Sequence, residues 1–208
     1  MKAGLLQSLN KELKEYIDDL YQEATPLVFG DGDVDSPIVL IGEAPGKNEI
    51  LQGRPFVGQA GKNLDEFINV LEIKKTDLYI TNVVKMRPYK VNEQTGREAN
   101  RTPTKKEVSL FTPYLRRELE IIKPLMVVTL GNTALKCITQ DENTSIGNFH
   151  GNPSEVRFGG VVFSLFPLYH PASIIYKADL KDTYNADLHK LKDYIKILKI
   201  KKTSKEGL

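Results

Sequence analysis

The sequence predicts an α/β fold built on a mainly parallel sheet, and three observations carry that reading. Four short apolar runs, at 38–41, 78–84, 126–130 and 161–166, recur along the chain. Unbroken runs of that length are what strands buried on both faces require. Between them lie segments whose apolar residues fall at helical spacing, and strand–helix alternation marks a layered α/β architecture. Finally, 208 residues with 40% hydrophobic and 27% charged side chains can fill a core without a disulfide or metal staple.

The elements follow in order. Residues 2–21 read as a charged amphipathic helix, the main part of an N-terminal helical region at 1–28 in a single domain spanning 1–208. Ile38-Val39-Leu40-Ile41, ending in Gly42, is the first strand, and Leu64, Phe67, Ile68 and Leu71 line a helix. Leu78 to Val84 forms the second strand, with Asn82 closing its core. The polar stretch from Tyr89 to Arg101 reads as a mobile loop. Thr104-Lys105-Lys106-Glu107 is a capping box opening a helix. Val108, Phe111, Leu115, Leu119 and Ile122 form its inner stripe, and Pro113 is expected to kink or split it.

Met126 to Leu130 and Val161 to Phe166 supply the third and fourth strands, and Leu188, Leu191, Ile195 and Leu198 the last helix. That helix also carries lysines from Lys190 through Lys192, Lys196, Lys199, Lys201 and Lys202 to Lys205. They read as a solvated face running into a frayed tail at 200–208, with a DNA-facing strip as the alternative.

Bulk properties exclude several classes. Twenty-nine basic and 27 acidic residues leave a net charge of +2, so a nucleic-acid footprint has to be local. The single cysteine, Cys137, rules out an internal disulfide and any all-cysteine cluster within the chain. No apolar run approaches the ~18 residues of a membrane span, and the N-terminus lacks the apolar core of a secretory signal. A cytoplasmic monomer is the expectation.

In parallel sheets, ligands bind beyond the carboxyl ends of the strands. Here Gly42-Glu43-Ala44-Pro45-Gly46, Asn82, Gly131-Asn132 and His170-Pro171-Ala172 stand at those four ends and converge on one rim. Each has a bland reading beside the functional one. The first is a tight turn presenting a carboxylate and backbone N–H groups. Phe56, in Gly53-Arg54-Pro55-Phe56-Val57-Gly58, is a core plug or a platform for a flat ligand. Asn82 caps a strand end or offers one acceptor and two donors to a ligand edge. His170 is a packed histidine or a donor to a developing anion. His150 and His189 read as a loop residue and a helix-face residue, and the three histidines and one cysteine show no metal-ligand spacing.

Taken together, these segments resemble the uracil-DNA glycosylase superfamily, nearest its family 4, from about Phe29 to the final helix. Gly42–Gly46 is similar to that family's first motif and Gly53–Gly58 to its following loop. Tyr79-Ile80-Thr81-Asn82-Val83-Val84-Lys85 is similar to the uracil-reading strand end, and His170-Pro171-Ala172 to the last motif. The resemblance implies a three-layer sandwich around a four-stranded parallel sheet and hydrolysis of the bond joining uracil to its sugar in single- or double-stranded DNA. Glu43 would position water or stabilise the cationic sugar, and His170 the leaving anion. Phe56 would stack on uracil, while Gly42, Ala44, Pro45 and Gly46 would supply backbone contacts. Asn82 would pair with O4 and N3–H of uracil, a pose that cytosine, with its donor at C4 and acceptor at N3, cannot meet. The loop of Pro171, Ala172 and Ser173 would press into DNA.

The chain departs from the family at its iron–sulfur cluster. Met86 and Phe111 stand where cluster cysteines are usual, no cysteine precedes the first strand, and Cys137 reads as a small buried apolar residue. No cofactor is expected, and Met86 and Phe111 are expected to fill that space with packing. The stretch Tyr89–Arg101 holds Lys90, Arg97 and Arg101 but no histidine, which argues against covalent capture of DNA. Three rivals remain: a glycosylase for hypoxanthine or xanthine, a non-catalytic DNA- or uracil-binding module, and an α/β nucleotide-binding protein. The third lacks both a P-loop ending and a G-x-G-x-x-G.

Overall fold

A computed structural model describes residues 1–176 and 180–206; side chains at 59, 60, 62, 63, 65, 66, 174–176 and from 198 onward lie outside that description. The chain opens with α1 (Lys2–Tyr21), β1 (Asp31–Gly32), β2 (Ile38–Gly42), α2 (Lys47–Gln52), α3 (Gln59–Leu71) and β3 (Tyr79–Asn82). It continues through β4 (Tyr89–Val91), β5 (Glu98–Asn100), α4 (Lys105–Ile122), β6 (Met126–Leu130), α5 (Asn132–Thr139) and α6 (Ile146–Phe149). It ends with β7 (Ser154–Phe158), β8 (Val161–Leu168), α7 (Pro171–Tyr176) and α8 (Leu180–Glu206).

The main sheet has six strands in the order β1-β3-β2-β6-β8-β7. Its inner four are the four apolar runs, all parallel to one another. The expected four-stranded sheet is thus the core of a wider one, edged by β1 and β7, which run antiparallel to their neighbours. Those edges carry no long apolar run because they are not buried on both faces. β1 is Asp-Gly, and β7 alternates exposed Ser154, Glu155 and Arg157 with inward Val156 and Phe158.

Strand alternation divides the core into two layers. Val39, Ile41 and Val127 point into one, with Leu13 and Ile17 of α1 and Phe111, Leu115 and Leu119 of α4. Ile38, Leu40, Met126 and Val128 point into the other, with Leu64 and Phe67 of α3 and Leu188 and Leu191 of α8. Successive strand side chains face opposite ways, so each short run feeds both layers and a three-layer sandwich results. Among the described residues, no helix is long and apolar enough to cross a membrane.

Two expectations need correction. Helix α4 is not split at Pro113 but continuous through it. Proline removes one N–H, and the carbonyl it leaves free belongs to Ser109; both residues lie on the exposed face, where water can satisfy that carbonyl. The stretch from Tyr89 to Arg101 is a β-hairpin rather than a loop, with Tyr89 paired to Asn100 and Val91 to Glu98. Its strands are exposed along their length, so no apolar alternation announces them. The turn is organised by Asn92, whose side chain accepts from the N–H groups of Gln94 and Thr95. The hairpin base is pinned by Arg87 on Glu98 at 2.6 Å and by Arg101 on Glu107 at 2.7 Å.

The capping box at Thr104 and Glu107 forms as expected. Cys137 is buried, and burial pushes its thiol pKa up. The backbone of α8 runs to Glu206, while Leu198 and the side chains of Lys199, Lys201, Lys202 and Lys205 lie outside the described residues. Of the lysines from Lys190 onward, those whose side chains are described pair with acids: Lys190 with Asp187, Lys192 with Glu72 and Lys196 with Asp193. That is the behaviour of a solvated helix face.

Candidate active site

Strand register assembles the rim. Gly42 and Asn82 are direct partners in adjacent parallel strands. The ladder continues one step further, with Val83 N donating to Gly42 O and Val84 N to Glu43 O. A side chain at position 42 has no room, since its Cβ would lie 2.4 Å from Asn82 Oδ1 and 2.6 Å from Phe56 Cζ. Glycine there lets the amide and the ring close over bare backbone. The result is a cavity of about 250 Å³ lined by Asn82, Phe56, His170, Ala44, Gly46 and Glu49 among others. A second space of about 510 Å³ opens beside it, with Glu43, Arg101, Tyr169 and Ser173 on its walls. His170, Ala44 and Ala172 border both.

Phe56 packs as a core plug and also borders the cavity. It is 5% exposed and packs with the α3 layer, yet it lines the smaller cavity. Its ring lies 6.5 Å from that of His170, with 27° between the planes. Its φ of 54° is a left-handed conformation that costs a phenylalanine about 1–3 kcal/mol and persists only where the surroundings impose it. Here Lys75 Nζ donates to Phe56 O at 3.0 Å.

Glu49 was not singled out in the sequence. Its carboxylate accepts from Gly46 N at 3.1 Å and from Gly58 N at 2.8 Å, so one buried side chain ties the two glycine-rich loops together. A glutamate three residues past a glycine turn, at the third position of a helix, is the available signal, because that position reaches back to the helix-entry N–H.

His170 has a defined donor. Ala172 N donates to its Nδ1 at 3.2 Å. In the neutral ring the proton therefore sits on Nε2, and burial pushes the pKa down, which favours that neutral form. The ring rests against Gly131, whose φ of +86° and whose ideal Cβ, 3.2 Å from His170 Cβ, both call for glycine. Pro171 opens α7 and is buried, and Ser173 N donates to His170 O at 2.8 Å. Of the three residues expected to touch DNA, Ala172 and Ser173 line the larger cavity and Pro171 does not.

Glu43 accepts a 2.6 Å hydrogen bond from Thr133 Oγ1. Burial raises its pKa, and the Thr133 hydroxyl partly offsets that. His150 and His189 lie off the rim. His150 Nδ1 is 2.6 Å from Asp187 Oδ2, and His189 Nδ1 is 2.8 Å from Asn185 O. Among the described residues, no group of three or more His, Cys, Asp or Glu side chains could hold a metal ion.

A buried polar network underlies Asn82. Lys85 Nζ donates to Asn82 O at 2.8 Å, to Glu118 Oε2 at 2.7 Å and to Thr81 Oγ1. Tyr79 Oη donates to Glu118 Oε1 at 2.9 Å. The ion pair's side chains are each 3% exposed. Removing one partner leaves a buried charge uncompensated, a loss of about 3–5 kcal/mol. Lys85→Met is therefore expected to destabilise the fold by that amount, and Lys85→Met/Glu118→Leu to recover most of it. Denaturant unfolding checks both; equal stability of the single and double variants would contradict the pairing.

Comparison with known proteins gives consistent matches over most of the chain. The profile of the Uracil DNA glycosylase superfamily matches residues 29–191. A type-4 uracil-DNA glycosylase of Archaeoglobus fulgidus is 37% identical over 193 residues, covering 89% of this chain and 92% of the relative. One from Sulfurisphaera tokodaii is 36% identical over 196 residues, 90% of this chain and 85% of its own. One from Thermotoga maritima is 37% identical over 179 residues, 85% and 87% respectively.

Proposed function

The chain belongs to the uracil DNA glycosylase superfamily, and from that premise we propose that it is a DNA repair enzyme that hydrolyses the N-glycosidic bond of uracil in DNA, releasing the base and leaving an abasic site. The observation that carries this reading is the small cavity, where an amide edge, an aromatic face and a neutral imidazole N–H meet.

The base has to leave the helical stack to reach that cavity, at a cost of a few kcal/mol that is lower at mismatches and in single strands. Inside, Phe56 offers a stacking face worth roughly 1–3 kcal/mol. Asn82 pairs with O4 and N3–H. As the glycosidic bond breaks, negative charge grows on the uracil ring, and the Nε2–H of His170 donates to it at O2. Glu43, on the wall of the adjoining space, faces the sugar; as a carboxylate it stabilises oxocarbenium character and orients the attacking water. Gly42, Ala44, Pro45 and Gly46 carry the backbone past the base, and Ala172 and Ser173 stand where the DNA strand enters. We assign single- or double-stranded uracil-containing DNA as substrate and a monomer as the working form. The free thiol of Cys137 suits a reducing, cytoplasmic setting.

No iron–sulfur cluster takes part in this reading, because the residues do not fit one. Cys137 is the chain's single cysteine, and Met86 and Phe111 pack in the apolar layer beneath α4, where Met86 bridges to Leu27. The purified protein is expected to be colourless and iron-free while active. Iron at stoichiometric level with a visible absorption band would contradict this.

The functional test is base release from an oligonucleotide carrying one uracil, single-stranded or opposite guanine, followed by alkaline cleavage at the abasic site. Hypoxanthine and thymine substrates run in parallel. Uracil-dependent cleavage is the expected result; cleavage at hypoxanthine alone would move the assignment to another deaminated base.

A further inference from the structure

The turn from β6 into α5, Gly131-Asn132-Thr133, stands at the rim, yet the reaction as described uses only its glycine, as a seat for His170. We propose that Thr133 is a positioning residue of the excision reaction, aiming the Glu43 carboxylate and holding it ionised; the proposal rests on the glycosylase reading above.

The hydroxyl is well placed for that work. Thr133 Oγ1 donates to Glu43 Oε2 at 2.6 Å across 90 residues of chain, joining the turn after β2 to the turn after β6. The donor sits on rigid structure. Ala134, Leu135 and Ile138 of α5 are fully buried, and Asn132 Oδ1 accepts from Ile146 N at 2.8 Å, which fastens the same turn to α6. As the second residue of α5, Thr133 also brings Glu43 to a helix N-terminus, where the backbone field favours negative charge. One carboxylate oxygen is thereby fixed, and Oε1 is left for water or the sugar.

Other charged groups around the carboxylate are engaged elsewhere or lie beyond the turn. Arg101, on the same cavity wall, forks onto Glu107 at 2.7 and 2.8 Å. Glu49 is held by Gly46 N and Gly58 N. His170 is neutral with its Nδ1 occupied. Lys105, Lys136 and Glu142 flank Thr133 in a separate hollow that does not include Glu43. Thr133 is thus the one side-chain hydrogen-bond partner found for Glu43 among the described residues. The sign follows directly. A hydroxyl donating to a carboxylate favours the ionised form, so deleting it lets Glu43 take up a proton at higher pH, and activity that needs the anion is lost first on the acid side.

The test compares Thr133→Val, isosteric but without the donor, and Thr133→Ser, which keeps it, in the full chain. Single-turnover uracil release is measured from acid to alkaline pH, with DNA affinity and denaturant unfolding measured alongside. Thr133→Val is expected to be about tenfold slower than wild type at the acid end, from the strength of a hydrogen bond to a charged group. It should recover much of that loss at alkaline pH with DNA affinity unchanged, and Thr133→Ser should track wild type. An equal loss at every pH, or an unchanged acid limb beside an active wild type, would overturn the proposal alone. Wild type that released no uracil would overturn the glycosylase reading and this proposal with it.

Discussion

His170→Ala is expected to slow the single-turnover release of uracil by about 10²–10³-fold, the usual loss on removing one fixed donor to a developing oxyanion. DNA affinity should change only a few-fold. The reasoning starts from a single contact. Ala172 N occupies Nδ1, which places the ring proton on Nε2, and burial disfavours a second proton. A neutral donor held this way interacts weakly with ground-state uracil and strongly with the anion that forms as the bond breaks. The rate therefore suffers and binding does not. Equal losses in rate and affinity would reduce His170 to a ground-state contact. Lowering the pH far enough to protonate the ring would cost the Ala172 N–H its acceptor, so that contact is lost on the acid side.

Asn82→Ala is expected to lower activity on uracil and to narrow the preference for uracil over cytosine by about 10- to 100-fold, the range that a bidentate amide contributes to base discrimination. Its amide is the reading edge of the cavity: register sets Asn82 opposite Gly42, and Lys85, paired with Glu118, holds the Asn82 backbone carbonyl from below. Cytosine opposes a wild-type amide donor with a donor and an acceptor with an acceptor; alanine removes that conflict together with the favourable pairing. Rates on paired uracil- and cytosine-containing oligonucleotides check this. Unchanged selectivity would leave Asn82 a structural residue.

Much of the architecture was legible because burial writes itself into sequence. The inner strands are covered on both faces and had to be apolar throughout, so Ile38–Ile41 and Met126–Leu130 stood out. The exposed elements left no such mark. β1 and the Tyr89–Arg101 hairpin are held by backbone pairing and by pairs such as Arg87 with Glu98, which have no hydrophobic period, and β7 turns only Val156 and Phe158 inward, too few to mark a strand. At the site, Gly42, Phe56, Asn82 and His170 were visible as unusual residues at strand ends or between glycines. Lys85, Glu118 and Thr133 were not, because their roles lie in contacts between segments far apart in the chain, whereas Glu49 acts locally on Gly46 and Gly58 and left only its helix-entry position as a mark. A buried glutamate has the same letter as a solvated one. Pro113 leaves α4 unsplit for a related reason: its effect depends on which helix face it occupies, and that face is solvent.

The most direct test of the account runs wild type beside Asn82→Ala/His170→Ala on one uracil-containing oligonucleotide. Released base is identified chromatographically, and folding of both proteins is verified by denaturant unfolding. Free uracil from wild type, with little or none from an equally folded double variant that still binds DNA, is the predicted result. Equal release by both proteins would remove the chemistry from this cavity, and tight DNA binding by wild type without release of any base would contradict the enzyme itself.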